Sequence, residues 1–563
     1  MATAATADPK KKPAAHRDPT REAVETVVFV VVLVLLLKLF VTEAFVIPTG
    51  SMAETLYGYQ KILTCPKCGH EFPVNSHDEV EANPVTGRRH KLVGYTCPNC
   101  RFPGRTDDLK PVPDNNTGDR VLVLKPIYHL TPADRGDVVV FKYPEEPQQK
   151  QTAQNYIKRA QGFGGETVGI HRGDLYVTRS LDYPADARDE DGNLLYPRPD
   201  DPNDLWKGDP ARGPDYRYVN NKQAADLFEK SRQAGFPAGV GGFEIVRKPE
   251  DQLLADMRVV WDNDKQPTEL AGKAPPRWYP APDGAAAWRG DNPQLPTSFT
   301  HTGPGLDWLR YRHLIYPWGR PGEAAGLKPT HIDNFLGYNA GVDRDPLTGQ
   351  ESSRPSSTDA LWVGDLILEC EADLRDPAAE VVLELSKGQN RFRAAFGDGR
   401  VTLSSVGPGG REFGSRPCKV RGPGKYRLRF ANVDCRLWVW VDGKLIDFGT
   451  EADYPPDSTV APGKEDGEGF TEENDVAAPA SIGAKGEVTV RAIKLFRDIY
   501  YTKNGSDHAR ADLYYVHPGH YLCLGDNSAQ SSDGRKWGLV PERLMLGKAV
   551  FVFWPYWRAG FIK

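Results

Sequence analysis

Between residues 23 and 37 the chain is apolar on every face, and the run continues through Leu39, Phe40 and Val41. A soluble helix would repeat a polar stripe about every 3.6 residues. Here Val and Leu dominate all positions, with Glu25 and Lys38 at the two ends. The pattern predicts a transmembrane helix over 23–43, since roughly 20 apolar residues with snorkelling ends span a bilayer. A cleaved signal peptide has an apolar core of similar length. No small-x-small cleavage pattern follows promptly, however, and Glu43-Ala44-Phe45 is a poor match, which favours an uncleaved anchor. The preceding tail, 1–22, is polar and basic, with Lys10, Lys11, Lys12, Arg17 and Arg21. Basic flanks stay cytoplasmic. The expectation is a single-pass protein of the inner (cytoplasmic) membrane, its N-terminus cytoplasmic and everything beyond residue 43 extracytoplasmic.

Past this run the hydrophobic period shortens to that of strands. Gly118-Asp-Arg-Val-Leu-Val-Leu-Lys125 and Arg135-Gly-Asp-Val-Val-Val-Phe-Lys-Tyr-Pro144 are short β-branched runs bounded by Gly-Asp and Pro, as buried strands of an all-β domain are. Tyr156-Ile-Lys158-Arg159 begins another strand, ahead of a glycine-rich turn. From about 180 to 270 the chain is rich in Asp, Arg, Pro and Tyr, with one helix expected near 222–235. Aromatic and β-branched residues then alternate with polar ones, as in Trp308-Leu-Arg-Tyr, Leu366-Ile-Leu-Glu-Cys and Leu437-Trp-Val-Trp-Val-Asp-Gly-Lys, whose Asp442-Gly443 signals a hairpin. The pattern over 275–500 is similar to the two-sheet sandwiches of the laminin-G or concanavalin-like family. A final strand is expected at Gly547-Lys-Ala-Val-Phe-Val-Phe-Trp554.

Composition agrees with a mainly β reading. The 55 glycines and 47 prolines favour turns and strands over helix bundles, and 563 residues exceed one ordinary domain. A net charge of −5 argues against a nucleic-acid partner. Four of the eight cysteines form two tight pairs, Cys65-Pro-Lys-Cys68-Gly and Cys97-Pro-Asn-Cys100. Two such pairs suit a tetrahedral Zn²⁺ held by four thiolates, a structural site because no coordination position stays open. Disulfides are the alternative in an extracytoplasmic compartment. The C-P-x-C turns look like the knuckles of a zinc ribbon, which favours metal.

Ser51 lies in Pro48-Thr-Gly-Ser51-Met, directly past the apolar run. A lone serine is usually a solvated turn residue, and a lone strand lysine is usually exposed. Taken together and in order, however, Pro48-Thr-Gly-Ser51-Met, Gly118-Asp-Arg-Val, Arg135-Gly-Asp-Val-Val-Val-Phe, Tyr156-Ile-Lys158-Arg159 and Gly525-Asp-Asn-Ser…Ser531-x-Asp533-x-Arg535-x-Trp537-Gly538 closely resemble the bacterial type I signal peptidases. The match covers 23–64, 115–180 and 512–556. The resemblance implies a membrane-bound serine endopeptidase without a catalytic cofactor, which removes signal peptides from secreted preproteins after small residues. Ser51 would be the nucleophile and Lys158 the general base, neutral because desolvation disfavours its ammonium. The Ser51 amide and the Thr49 hydroxyl would bind the oxyanion, Ser531 would orient the amine, and Asp533 and Arg535 would pair to hold the last segment in place. Two positions depart from the family pattern: Phe163-Gly164-Gly165-Glu166 replaces a Leu-Pro-Gly-Asp turn, and Gly534 replaces a common serine.

The expected organisation is a basic tail (1–22), a transmembrane helix (23–43), catalytic core in three parts (44–64, 101–180 and 501–563), a zinc-ribbon insertion (65–100), an irregular insertion (181–274) and a β-sandwich insertion (275–500). The sandwich is expected to be dispensable for hydrolysis of short peptides. Preproteins and the bilayer are the expected partners, with the secretion translocon and a glycan or envelope ligand of the sandwich as further candidates. A different class of reading makes the chain an extracytoplasmic glycan- or protein-binding protein that uses the peptidase core as a scaffold; an intact Ser51, Lys158 and Ser531 set argues against it.

Overall fold

The computed structural model describes residues 19–82, 87–144, 154–179, 222–234, 236, 242–282, 286–319, 326–354, 360–456, 469–502, 513–516 and 518–563. Most of the basic tail, and half of the irregular insertion, lie outside the described residues. The fold is mainly β with a few short helices.

The apolar run forms the α-helix Pro19–Leu36, followed at once by a π-helical turn, Leu37–Val41. The chain then enters the strand Thr42–Val46, so the helix stops short of the expected end at 43. Arg21, Glu22 and Glu25 occupy its first turns. No helix among the described residues is long and apolar enough to cross a membrane. The expected transmembrane helix over 23–43 is corrected to this shorter one, because charged residues take its N-terminal end and strand pairing takes its C-terminal end. Its apolar side chains, among them Val27, Phe29, Leu33 and Leu36, stand exposed, as does Phe40 in the turn that follows.

An eight-stranded antiparallel sheet follows in the order Thr42–Val46, Arg120–Leu124, Met545–Trp554, Val138–Lys142, Asn155–Phe163, His520–Leu524 and Val540–Pro541, with Gly560–Phe561 added to Met545–Trp554. Segments more than 400 residues apart in sequence are neighbours here: Val121 lies opposite Val552. Ile47, Met52, Leu56, Val121, Val123, Val138, Val140 and Ile157 form the core beneath it. The β-branched runs read from the sequence are these buried strands.

The remaining strands form a larger body. Thirteen strands form one sheet built on the long strand Ala480–Arg497, which pairs with four of the others. Leu366–Leu374 buries Leu366, Leu368, Cys370, Ala372 and Leu374 in the main core, while Ile367 is buried on its other face with Leu253 and Trp440. Lys91–Thr96 and Pro103–Arg105, which lie either side of the second cysteine pair, join Gly341–Arg344 and Glu351–Ser353 in one four-stranded sheet. The cysteine pairs therefore share a core with Trp261, Leu309 and the large sheet. The helix expected near 222–235 is present as Lys222–Gln233.

Candidate active site

Ser51 sits in the turn that follows the edge strand Thr42–Val46. Lys158 lies on the central strand Asn155–Phe163, in register with Val139. The fold brings them together: Lys158 Nζ donates to Ser51 Oγ at 2.6 Å and to the Ile157 carbonyl at 2.9 Å. Lys158 is fully enclosed, and burial pushes its amine down to about 8 against the opposing pull of Asp533. The ring of Tyr156 lies beneath the amine, 5.4 Å away. A neutral amine in contact with a serine hydroxyl is a base placed to take its proton.

The neighbour in sequence does the opposite. Arg159 is equally buried but fully paired, with Nε and Nη2 on the two carboxylate oxygens of Asp526 at 2.9 and 2.6 Å and Nη1 on the Gly136 carbonyl. Burial alone would raise the Asp526 carboxyl; the guanidinium holds it below its ordinary range instead. Side chains alternate along a strand, so one residue faces the serine and the next clamps the following loop.

That loop carries the other motif residues. Asp533 and Arg535 form a two-point ion pair at 2.9 and 2.7 Å, and Asp533 also accepts from the Gly525 amide. Arg535 further binds the Ser528 hydroxyl and carbonyl and the Thr502 carbonyl. Ser531 is buried beside Gly525, where a β-carbon would fall 2.1 Å from its Oγ and 2.5 Å from the Ser51 carbonyl. The Ser531 hydroxyl has no partner of good hydrogen-bond geometry, although it lies near enough to Asp533 to favour the ionised carboxylate. It makes no hydrogen bond to Lys158. Thr49 is exposed at the rim, and neither its hydroxyl nor the Ser51 amide is engaged by another group among the described residues.

Both departures from the family pattern have local reasons. Glu166 accepts two bonds from Arg135 Nη2, both at 2.7 Å, and one from the Phe163 amide, so the longer acid still closes the turn. At Gly534 a β-carbon would meet Leu522 Cδ1 at 2.7 Å and the Cys523 carbonyl at 3.0 Å, so a serine there requires Leu522 to shift.

Two residues close to Ser51 were not singled out from the sequence. Asn527 donates from its main chain to the Ser51 carbonyl at 3.1 Å and from Nδ2 to the Gly50 carbonyl at 2.9 Å. Its place inside Gly525-Asp526-Asn527-Ser528 was the one available hint. Tyr338, from far along the chain, packs on Gly50, where a β-carbon would fall 2.2 Å from its ring. The close approach that glycine permits at position 50 is thus made by Tyr338.

The four paired cysteines are buried, and their sulfurs lie within 4.8 Å of one another. Cys65 Sγ lies 3.7 Å from Cys100 Sγ, and Cys68 Sγ 3.7 Å from Cys97 Sγ. A disulfide needs about 2.05 Å. A tetrahedron of sulfurs about 2.3 Å from zinc has edges near 3.8 Å, so the donor set fits such an ion. Asn99, between the second pair, fixes this cluster to the larger body by accepting from the Asp262 amide at 2.7 Å.

With this geometry in view, comparison with known proteins is specific. The model of the family "Signal peptidase, peptidase S26" matches residues 109–210 and 462–554. The chain is 33% identical over 88 residues to mitochondrial inner membrane protease subunit 1 of Homo sapiens, 16% of this chain and 52% of that protein. It is 37% identical over 71 residues to signal peptidase I of Buchnera aphidicola, 11% of this chain and 22% of that one. With signal peptidase IB of Staphylococcus aureus the identity is 50% over 38 residues, 7% and 20% respectively. Over these stretches the chain is similar to signal peptidases. It spans about half the length of the mitochondrial subunit and about a fifth of the two bacterial peptidases. Among solved structures, sheep galectin-11 is 16% identical, with 24% of this chain and 92% of that one covered, at a TM-score of 0.17. So slight a likeness assigns neither fold nor ligand.

Proposed function

We propose that the protein is a membrane-anchored serine endopeptidase that removes N-terminal signal peptides from secreted preproteins. The observation that carries this reading is the buried Lys158 amine, 2.6 Å from Ser51 Oγ and lowered to about 8. Neutral Lys158 takes the hydroxyl proton as Ser51 Oγ attacks the scissile carbonyl. The Ser51 amide and the Thr49 hydroxyl receive the negative charge on the tetrahedral intermediate, where preorganised donors count most. Lys158, now an ammonium, gives its proton to the leaving amine. It then activates a water that releases the acyl group from Ser51. Ser531 orients the amine once substrate is bound, and the Asp533–Arg535 pair holds the loop that brings it there. The preprotein adds as a strand beside Thr42–Val46, which is paired on one side alone.

The exposed apolar helix supports attachment to a bilayer through residues 24–41, as do the exposed Trp554, Tyr556 and Trp557 near the end of the sheet, since Trp and Tyr favour membrane interfaces. The four cysteines hold one structural zinc. The test is cleavage of a model preprotein in detergent or lipid. Wild type should cut after the signal peptide, and Ser51→Ala and Lys158→Ala should each lose at least about a thousandfold in rate. Turnover that persists in either variant removes that residue from the mechanism.

A further inference from the structure

We propose that Asn339 is a positioning residue for the nucleophile: through Asn527 it aims the Ser51 amide at the oxyanion. The inference rests on the peptidase reading above, and it concerns a residue outside the stretches that match the peptidase family. Asn339 ends the short 3₁₀ turn Gly337–Asn339 and is completely buried, as is Asn527. The two side-chain amides face each other and exchange hydrogen bonds, Asn339 Nδ2 to Asn527 Oδ1 at 2.7 Å and Asn527 Nδ2 to Asn339 Oδ1 at 2.8 Å.

The chemistry of the partners leaves one orientation. The Gly50 carbonyl can accept but not donate, so Asn527 must turn its NH₂ group toward it. The Asn527 oxygen then faces the other way and needs a buried donor, which Asn339 Nδ2 supplies. Without that donor, Asn527 would bury an unsatisfied carbonyl or rotate its amide and turn an oxygen toward the Gly50 oxygen.

The consequence for Ser51 follows from the planar trans peptide. The Gly50 carbonyl and the Ser51 N–H belong to one plane and point in opposite directions. Holding the carbonyl on Asn527 therefore directs the amide away from it, toward the open side where the oxyanion forms. Asn527 also holds the Ser51 carbonyl, so both peptides flanking the nucleophile hang on one residue whose orientation Asn339 decides. The turn that presents Asn339 is itself braced. Tyr338 packs on Gly50, Gly337 lies against Pro98 between the second pair of cysteines, and the Thr96 amide donates to the Ala340 carbonyl.

The experiment measures kcat and KM for preprotein cleavage by wild type, Ser51→Ala, Asn339→Ala, Asn339→Asp, Asn527→Ala and the Asn339→Ala/Asn527→Ala double variant. Asn339→Asp conserves shape but cannot donate as a carboxylate, so it tests the hydrogen bond if the alanine variant folds poorly. Both Asn339 variants should lose about tenfold or more in kcat, with KM within about twofold. The pH midpoint for Lys158 should not move, because Asn339 does not touch the amine. The double variant should be no slower than Asn527→Ala alone. Wild-type kcat in Asn339→Asp, an effect confined to KM, or additive losses would overturn the proposal while Ser51→Ala remained inactive. If wild type itself cleaves no preprotein, the peptidase reading fails and this inference falls with it.

Discussion

Lys158 is stable in this fold only as a weakly basic amine, and that has consequences for both activity and stability. Its pKa of about 8 requires the rate to rise with pH through that value, as the ammonium gives way to the base. A kcat/KM profile with an essential base near the ordinary lysine value of about 10.4 would contradict the burial argument. The stability effect has a definite sign. Between pH 8 and the ordinary value the unfolded chain holds a proton that the folded chain has lost, so stability rises with pH across that window. Below it the cost of burying the amine is fully present, about 3 kcal/mol. Lys158→Met should therefore raise the Tm at pH 7 while abolishing cleavage, and the gain should shrink toward pH 10, as melts at the two pH values would show. Ser51 and Lys158 were legible because each stands in a short motif. Asn339 was not, because its importance arises from one long-range contact and a single asparagine in a short turn has no local signature.

At the scale of elements, the loop that follows His520–Leu524 is held by charge rather than by apolar packing alone. Arg535 is enclosed and depends on Asp533, so Asp533→Ala would strand a buried guanidinium. Chemical denaturation should show a loss of about 3–5 kcal/mol. The cysteine knuckles are a second such device. Purified protein should contain about one equivalent of zinc, and a strong chelator should lower its Tm, because binding energy at such sites is folding energy. Absence of metal with free thiols would refute the zinc assignment. The strands were readable from their β-branched runs and Gly-Asp boundaries. The shortened helix was not, since apolar composition alone does not say where strand pairing captures the chain.

For the molecule as a whole, segments far apart in sequence meet beside Ser51. The turn Gly337–Asn339 rests on the turn that carries Ser51, and the strand after it pairs with Lys91–Thr96 beside the second cysteine pair. Deletion of residues 275–500 was expected to spare hydrolysis of a short peptide. With Tyr338 and Asn339 removed, that deletion should instead abolish it, and a wild-type rate in the deleted protein would show the core to be self-sufficient. Removal of residues 1–41 should release the protein from lipid vesicles in a flotation assay while leaving the Ser51–Lys158 contact intact. Co-flotation of the truncated protein would place membrane attachment elsewhere.

The sequence alone determined what depends on neighbours in the chain. It specified the strand runs, the apolar segment, the metal-binding spacing of the cysteines and the order of peptidase motifs, because backbone preference, side-chain alternation and ligand spacing act over a few residues. Tertiary structure decided what depends on approach across hundreds of residues. It buried Lys158 enough to weaken its basicity, paired Arg159 with Asp526, and brought Asn339 to Asn527. Desolvation and hydrogen-bond satisfaction are properties of an enclosed volume, and no local stretch of sequence encloses one.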